Sequence, residues 1–336
     1  MLPILHARVG PHMIDPGFLI PRDPVERVVV ILIGLLMDLA YPLHSGFMLK
    51  IHPVYTSYKM ALWISPPGSS RLRGSIAWLA VVFSHTAVYG SILYISYSVS
   101  EILWILACSY IVKVSIPVRL LRDIVSGVAK CLDIGDIECA RRKTSWIVRR
   151  DTRSLGEGYV ASASIESLFE STVDGIASPL LYTALLGPIA GLSQRIINTL
   201  DSALGYKTPE YIEAGWLSAR ADTAINYIPA RLTAILIVIL SPLAGGSIGR
   251  TYRIYKVYRK RTESKNSGHP MAAAAGALGV RLEKIGSYVL GEGPLPRSAD
   301  IHRALRLFTA ITAVLYIIAI TLSYTAQNTL EQFLGS

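Results

Sequence analysis

The sequence predicts an all-α fold, a polytopic integral membrane helical bundle with broken or re-entrant helices and helical cytoplasmic loops. Three observations predict it. First, 51% of the 336 residues are hydrophobic and 17% are charged, with a mean hydropathy of +0.43, which is too apolar for an ordinary soluble domain. Second, two long apolar segments, 76–97 and 99–117, stand back to back. Third, two further apolar stretches are interrupted by Pro and Gly, beginning at Ile176 and Leu232. The net charge is +10 and the pI about 9.5. In so apolar a chain, Lys and Arg mark cytoplasmic loops, so the expected partner is the lipid membrane and not nucleic acid.

The chain reads as one membrane-embedded domain over 1–336: N-terminal transmembrane helices at 25–118, a motif-bearing core at 119–231, a broken helix and basic cytoplasmic region at 232–304, and a C-terminal transmembrane helix at 305–324. Pro3, Pro11, Pro16 and Pro21 interrupt the first apolar residues, so no cleavable signal peptide is expected. Segment 28–37 is apolar, but Asp38 and Pro42 stop it short of the roughly 20 residues of a full span, which gives a span with a polar inner end. The segments 76–97 and 99–117, around a polar turn at 96–101, form a transmembrane hairpin. A hairpin returns the chain to its starting side. The acid-free loop at 50–74, with Lys50, Lys59, Arg71 and Arg73, therefore shares a compartment with the region from Arg119 onward.

Region 119–175 holds nine Lys or Arg, and 250–303 holds eleven against four acids; by the positive-inside rule both face the cytoplasm. Between them, 176–192 is broken by Pro179, Gly187, Pro188 and Gly191, and 232–240 is stopped by Ser241 and Pro242. Broken apolar segments persist at membrane depth where they are buried in protein or line a cavity, and they point to a binding site. Crossing and re-entry both remain open, but the charge on either side requires the two segments to behave alike. Segment 305–324 is the last span. Cys108, Cys131 and Cys139 make neither an even disulfide framework nor a CxxC pair, so reduced structural thiols are expected.

The chemistry concentrates between Arg149 and Arg231. Glu166, Glu170 and Asp174 are spaced four apart, so a helix stacks them on one face. Each like-charged pair costs roughly 0.2–0.5 kcal/mol, so the stripe is either a solvated acidic face or needs a cation, basic partners or raised pKa values. Asn198 with Asp201, and Asp222 with Asn226, also share helix faces, either as caps and interhelical hydrogen bonds or as ligands for a cation or a phosphate-bound metal. Ionisable groups near bilayer depth make Arg195, Arg220, Asp222 and Arg231 functional candidates. His52 and His269 each precede a proline and read as substrate contacts, acid–base groups or loop histidines tied to backbone; His6, His12, His44, His85 and His302 show no metal-ligand spacing. No GxxxxGK[ST] or GxGxxG motif occurs.

Six motifs stand in order: His52-Pro-Val54; Arg150 to Leu155, including Asp151; Glu166, Glu170 and Asp174 with Gly175 and Pro179; Asn198 to Ser202 with Gly205, Tyr206 and Lys207; Asn226 to Leu232; and Asn266 to Arg281. The ordered set closely resembles adenosylcobinamide-phosphate synthase, the CobD/CbiB family of cobalamin biosynthesis, over most of the chain. The resemblance implies ATP-dependent amide ligation of adenosylcobyric acid, a corrinoid, with (R)-1-aminopropan-2-ol phosphate or free aminopropanol. An unactivated carboxylate does not acylate an amine, so an acyl phosphate is the economical route, with magnesium neutralising the triphosphate.

On that reading Glu166, Glu170 and Asp174 are catalytic, with Glu170 and Asp174 on magnesium. Arg150, Asp151, Asn198, Asp201, Lys207, Arg220, Asp222, Asn226, Arg231, His52 and His269 bind substrate or phosphate. A homo-oligomer, or association with other late cobalamin-pathway membrane enzymes, is a further expectation. The sequence departs from the family pattern at Ser171, Gln194, Thr223 and His269, where the family usually has Asn, Tyr, Asp and Trp. The alternative readings are a non-catalytic membrane sensor of related architecture and a transporter with broken helices.

Overall fold

A computed structural model describes residues 16–334 and the side chains of residues 17–325. Pro3, Pro11, His6 and His12 lie outside the described residues. The first helix, α1 (Pro24–Ala40), begins where Asp23 accepts the Val25 amide at 2.6 Å and Pro24 occupies the first turn. After α2 (Gly46–Lys50), α3 (Pro53–Ile64) repeats the device, with His52 Nδ1 accepting the Val54 N–H at 3.3 Å. The long α4 (Arg71–Val99) turns at Ser100 into α5 (Glu101–Ser115), as the expected hairpin requires. Phe83, Ile95 and Ile102 on this pair are exposed, as lipid-facing side chains are.

Beyond the hairpin come α6 (Val118–Asp133), α7 (Ile137–Thr144) and α8 (Glu157–Thr172), the last buried over most of its length. Gly135, at φ 76°, folds α7 back on α6 and brings the Cα atoms of Cys131 and Cys139 to 5.7 Å. These two cysteines form a disulfide, which corrects the expectation of reduced thiols. Cys108 alone stays free, and it is buried. A separation of eight residues has no meaning as a motif; only the turn at Gly135 makes the pair.

The broken segment at 176–192 is broken. A π turn (Val173–Ala177) joins α8 to α9 (Ser178–Leu186), the chain reverses at Gly187 with φ 89°, and Pro188 starts α10 (Pro188–Leu204). Then follow α11 (Trp216–Ile225), α12 (Tyr227–Leu240), α13 (Ile248–Tyr258) and α14 (Gly268–Leu278), of which α14 is buried throughout. A two-stranded antiparallel hairpin, β1 (Leu282–Lys284) and β2 (Tyr288–Leu290), precedes α15 (Ser298–Leu334). The hairpin is a small exception to an otherwise helical fold.

Among the described residues, four stretches are long and apolar enough to cross a membrane: Arg71–Val99, Glu101–Asp133, Tyr227–Ala244 and Ser298–Thr325. The chain is a multi-pass membrane protein. At 17 residues, α1 is shorter than any of these. The two flanks of the Tyr227–Ala244 stretch meet each other: Asn266 Nδ2 donates to the Thr223 carbonyl at 2.9 Å. Lys207 pairs with Glu263 at 3.3 Å, and the Glu283 amide donates to Ser162 at 2.7 Å. The region from Arg250 onward thus returns to the body that carries α8 and α11.

Candidate functional site

The acid stripe splits into two environments. Glu166 is 4% exposed, and both of its oxygens are occupied. Oε1 accepts from Ser162 Oγ at 2.6 Å and Arg150 Nη2 at 3.2 Å, and Oε2 accepts from the Tyr288 hydroxyl at 2.7 Å. One turn later the partners vanish. Among the described residues, the carboxylates of Glu170, Asp174 and Asp201 make no hydrogen bond or ion pair, yet they stand near one another and near Asp222.

Burial, then the charge of Glu166, raises the pKa of Glu170. Burial raises Asp174 further, followed by the charges of Asp222, Glu170 and Asp201. Asp201 is pushed up to about 7 by burial and Asp222. The π turn begins one residue before Asp174; such widened turns recur at functional sites because they re-aim a side chain without ending the helix.

The polar pairs of α10 and α11 converge on the same place. Asp222 Oδ1 accepts from Asn198 Nδ2 at 3.1 Å and from Asn226 Nδ2 at 2.8 Å, which holds down a pKa that burial raises. Gln194 Nε2 donates to Asn226 Oδ1 at 3.1 Å and to the Asp174 carbonyl at 3.4 Å. Arg195 Nη1 donates to Asn198 Oδ1 at 3.3 Å, and its charge favours the ionised forms of Asp174 and Asp222. Arg149, stacked 5.0 Å over Tyr206, acts in the same sense on Glu170 and Asp201.

The other expected residues fall in three places. Arg231 lies 3.3 Å over the Tyr227 ring and donates to Asn266 Oδ1 at 3.1 Å, beside α11. Arg220 is exposed and stacks 4.5 Å over Trp216, Lys207 pairs with Glu263, and Asp151 pairs with Arg153 at 2.7 Å on the surface. These three are not brought to the acids. Arg150 is tied to Glu166. His269 is buried against the Tyr255 hydroxyl at 2.9 Å, and burial with Arg231 pushes its pKa down to about 4. His52 is pushed down to about 3 by burial and then by His44, Lys113 and Arg195, so it is a neutral imidazole. Thr223 Oγ1 donates to the Ala219 carbonyl at 2.7 Å and adds nothing to the acids.

Sequence reasoning passed over Arg149, Gln194 and Tyr288 as site residues. The twin Arg149-Arg150 and the position of Gln194 beside Arg195 were available signals. Tyr288 reaches Glu166 across 122 residues and had none.

Among the described residues, no three His, Cys, Asp or Glu side chains gather closely enough to hold a metal by themselves. Magnesium takes one or two carboxylates and completes its shell with water and phosphate, so a cluster of unpartnered acids fits that mode. The fold and site define a multi-pass helical membrane protein that keeps an excess of buried carboxylate beside arginine. The chain belongs to the CobD/CbiB family, whose model, described as CobD/Cbib protein, matches residues 31–308.

It is similar to the probable cobalamin biosynthesis protein CobD of Aeropyrum pernix, 47% identical over 298 residues, 88% of this chain and 93% of the relative. It is also similar to proteins of the same description from Methanothermobacter thermautotrophicus, 37% identical over 80% of this chain and 88% of the relative, and Thermoplasma acidophilum, 36% identical over 84% and 92%. No solved structure matches. The protein has a role in cobalamin biosynthesis.

Proposed function

We propose that the protein is an ATP-dependent amide ligase that joins adenosylcobyric acid to (R)-1-aminopropan-2-ol phosphate, or to free aminopropanol, at the cytoplasmic face of the cell membrane. The observation that carries this reading is the group of unpartnered carboxylates Glu170, Asp174 and Asp201 around Asp222. Unpaired buried acids are costly, and a cation relieves them. The two cations of the reaction, a metal on the nucleotide and the ammonium of the amine, are both of the required sign.

ATP with magnesium supplies the phosphoryl group that turns a carboxylate oxygen into a leaving group. Glu170 and Asp174 would hold the metal. Asp201, whose pKa is raised to about 7, is matched to taking the proton of the attacking ammonium near neutral pH. Asn198 and Asn226 fix Asp222, and Arg195 balances part of the negative charge and offers donors to phosphate or carboxylate oxygen. Glu166 and Arg150 position α8 instead of touching substrate.

The test uses purified protein in detergent with ATP and magnesium. ADP release that requires both adenosylcobyric acid and the amine supports the reading. ATP turnover indifferent to either substrate, or none with both present, removes it.

A further inference from the structure

The helix that carries Arg195, α10, also packs against α3 and α5. Lys113 and His44 are each 5% exposed. The Lys113 ammonium lies 3.0 Å from both ring nitrogens of His44. A neutral imidazole has one acceptor nitrogen, so His44 takes at most one of the three ammonium hydrogens. Among the described residues, Lys113 has no carboxylate at ion-pair distance. Asp38, also buried, accepts the Arg119 amide at 2.9 Å instead.

The ring of His52 stands 4.8 Å from that of His44. Its Nδ1 accepts the Val54 N–H, so the proton of the neutral ring sits on Nε2, a donor with no described partner. Arg195 adds a third: its Nε is buried without a hydrogen-bond partner. The lysine and histidine donors thus stand together with hydrogens to spare, and α10, which carries Arg195, packs on both of the helices, α3 and α5, at which they stand. Buried donors without acceptors are costly, and the group they lack is an oxyanion.

We propose that Lys113, His52 and Arg195 form an oxyanion-binding subsite for a phosphate or carboxylate group, with His44 orienting the ammonium and Arg195 as the wall shared with the acid cluster. Which substrate brings the oxyanion rests on the ligase reading: the phosphate of the amine phosphate, or a carboxylate of the corrinoid. The subsite itself does not need that reading. His52 is partly exposed, so its ring is the reachable donor, whereas Lys113 and the Arg195 Nε lie at the closed end.

The test is thermal unfolding of the full chain in detergent, titrated separately with inorganic phosphate and with propionate. A saturable rise in melting temperature with at least one anion is expected, by mass action on the folded state. His52→Asn keeps a capping acceptor for Val54 and, because its shorter amide ends before the Nε2 position, places no donor there; it and Lys113→Met should lose most of the rise, while Asp174→Asn keeps it. A response to phosphate alone points to the amine phosphate, and a response to propionate alone to the corrinoid carboxylate. If Lys113→Met does not fold, His52→Asn decides. No rise with either anion, or equal rises in wild type and His52→Asn, overturns the subsite. Loss of the ligase reading in the ADP assay, with the anion response intact, leaves the subsite standing.

Discussion

Glu166 and Glu170 are one helical turn apart, and substitution should move them in opposite directions. Glu166→Ala leaves Arg150 and the Tyr288 hydroxyl without their acceptor in a buried place, a loss of about 3 kcal/mol for one member of a buried ion pair. Glu170→Gln removes a like charge from a crowded site, so melting temperature should hold or rise while turnover falls by about 10²-fold or more. Melting curves and initial rates on the two proteins decide it. Equal melting losses in both would mean that Glu170 has a structural partner.

Asp201 adds a pH dependence. Its pKa stands at about 7 in the folded chain against 3.8 for the free side chain, so the folded state binds the proton more tightly. The stability due to this group is present in full below pH 3.8 and is lost as pH rises through 7. Wild-type melting temperature should therefore decline between those values more than that of Asp201→Asn; identical profiles would deny Asp201 the shift.

At this scale the sequence was readable where chemistry is local. The four-residue spacing put Glu166 and Glu170 on one helix with Asp174 in the π turn that continues it, and Asp222 one turn before Asn226 at the end of another. It could not divide the stripe, because what neutralises Glu166 comes from a β-hairpin far along the chain, and Asn198 meets Asp222 only through the packing of α10 on α11.

Among the elements, the α9–α10 reversal rests on a single glycine. Gly187 sits at φ 89°, and a Cβ there would come within 3.0 Å of Ile20 Cγ1 and the Leu19 carbonyl oxygen. Gly187→Ala should cost about 1–3 kcal/mol and lower the melting temperature, since a left-handed backbone is unfavourable for a side chain and the contact leaves no room. An unchanged melting temperature would show that the turn relaxes. The same glycine, with Pro188, announced the break in the sequence, as the polar turn at 96–101 did for the hairpin of α4 and α5. Proline and glycine act on their own neighbours, so their effects can be read without a fold. The Cys131–Cys139 disulfide and the β-hairpin could not be, because both depend on how distant or folded-back segments meet.

The whole molecule sets its orientation by charge. The loops at 50–74, 119–175 and 250–304 are the basic parts of the chain: the last two touch where Tyr288 reaches Glu166 at 2.7 Å, and the segment from Lys207 to Glu213 joins the first to the last, Glu213 pairing with Arg71 at 3.1 Å and Lys207 with Glu263 at 3.3 Å. Segments in contact cannot lie on opposite sides of a bilayer. Tyr227–Ala244 is long enough to cross, yet its flanks meet through Asn266 and Thr223, so chain beyond it must come back to the side it left. Lysine and arginine are retained on the cytoplasmic side during insertion, which predicts that the basic loops face that side. Single cysteines placed by Lys59→Cys, Arg153→Cys and Lys265→Cys, all exposed positions, should then react with a membrane-impermeant thiol reagent only in inside-out vesicles. Glu101→Cys, in the turn at the far end of the α4–α5 hairpin, should react only in intact cells. Labelling of Lys265→Cys from outside while Lys59→Cys is labelled from inside would make Tyr227–Ala244 a single crossing, and α8 and α11 would then lose the contacts that Glu166 makes with Tyr288 and the Thr223 carbonyl with Asn266.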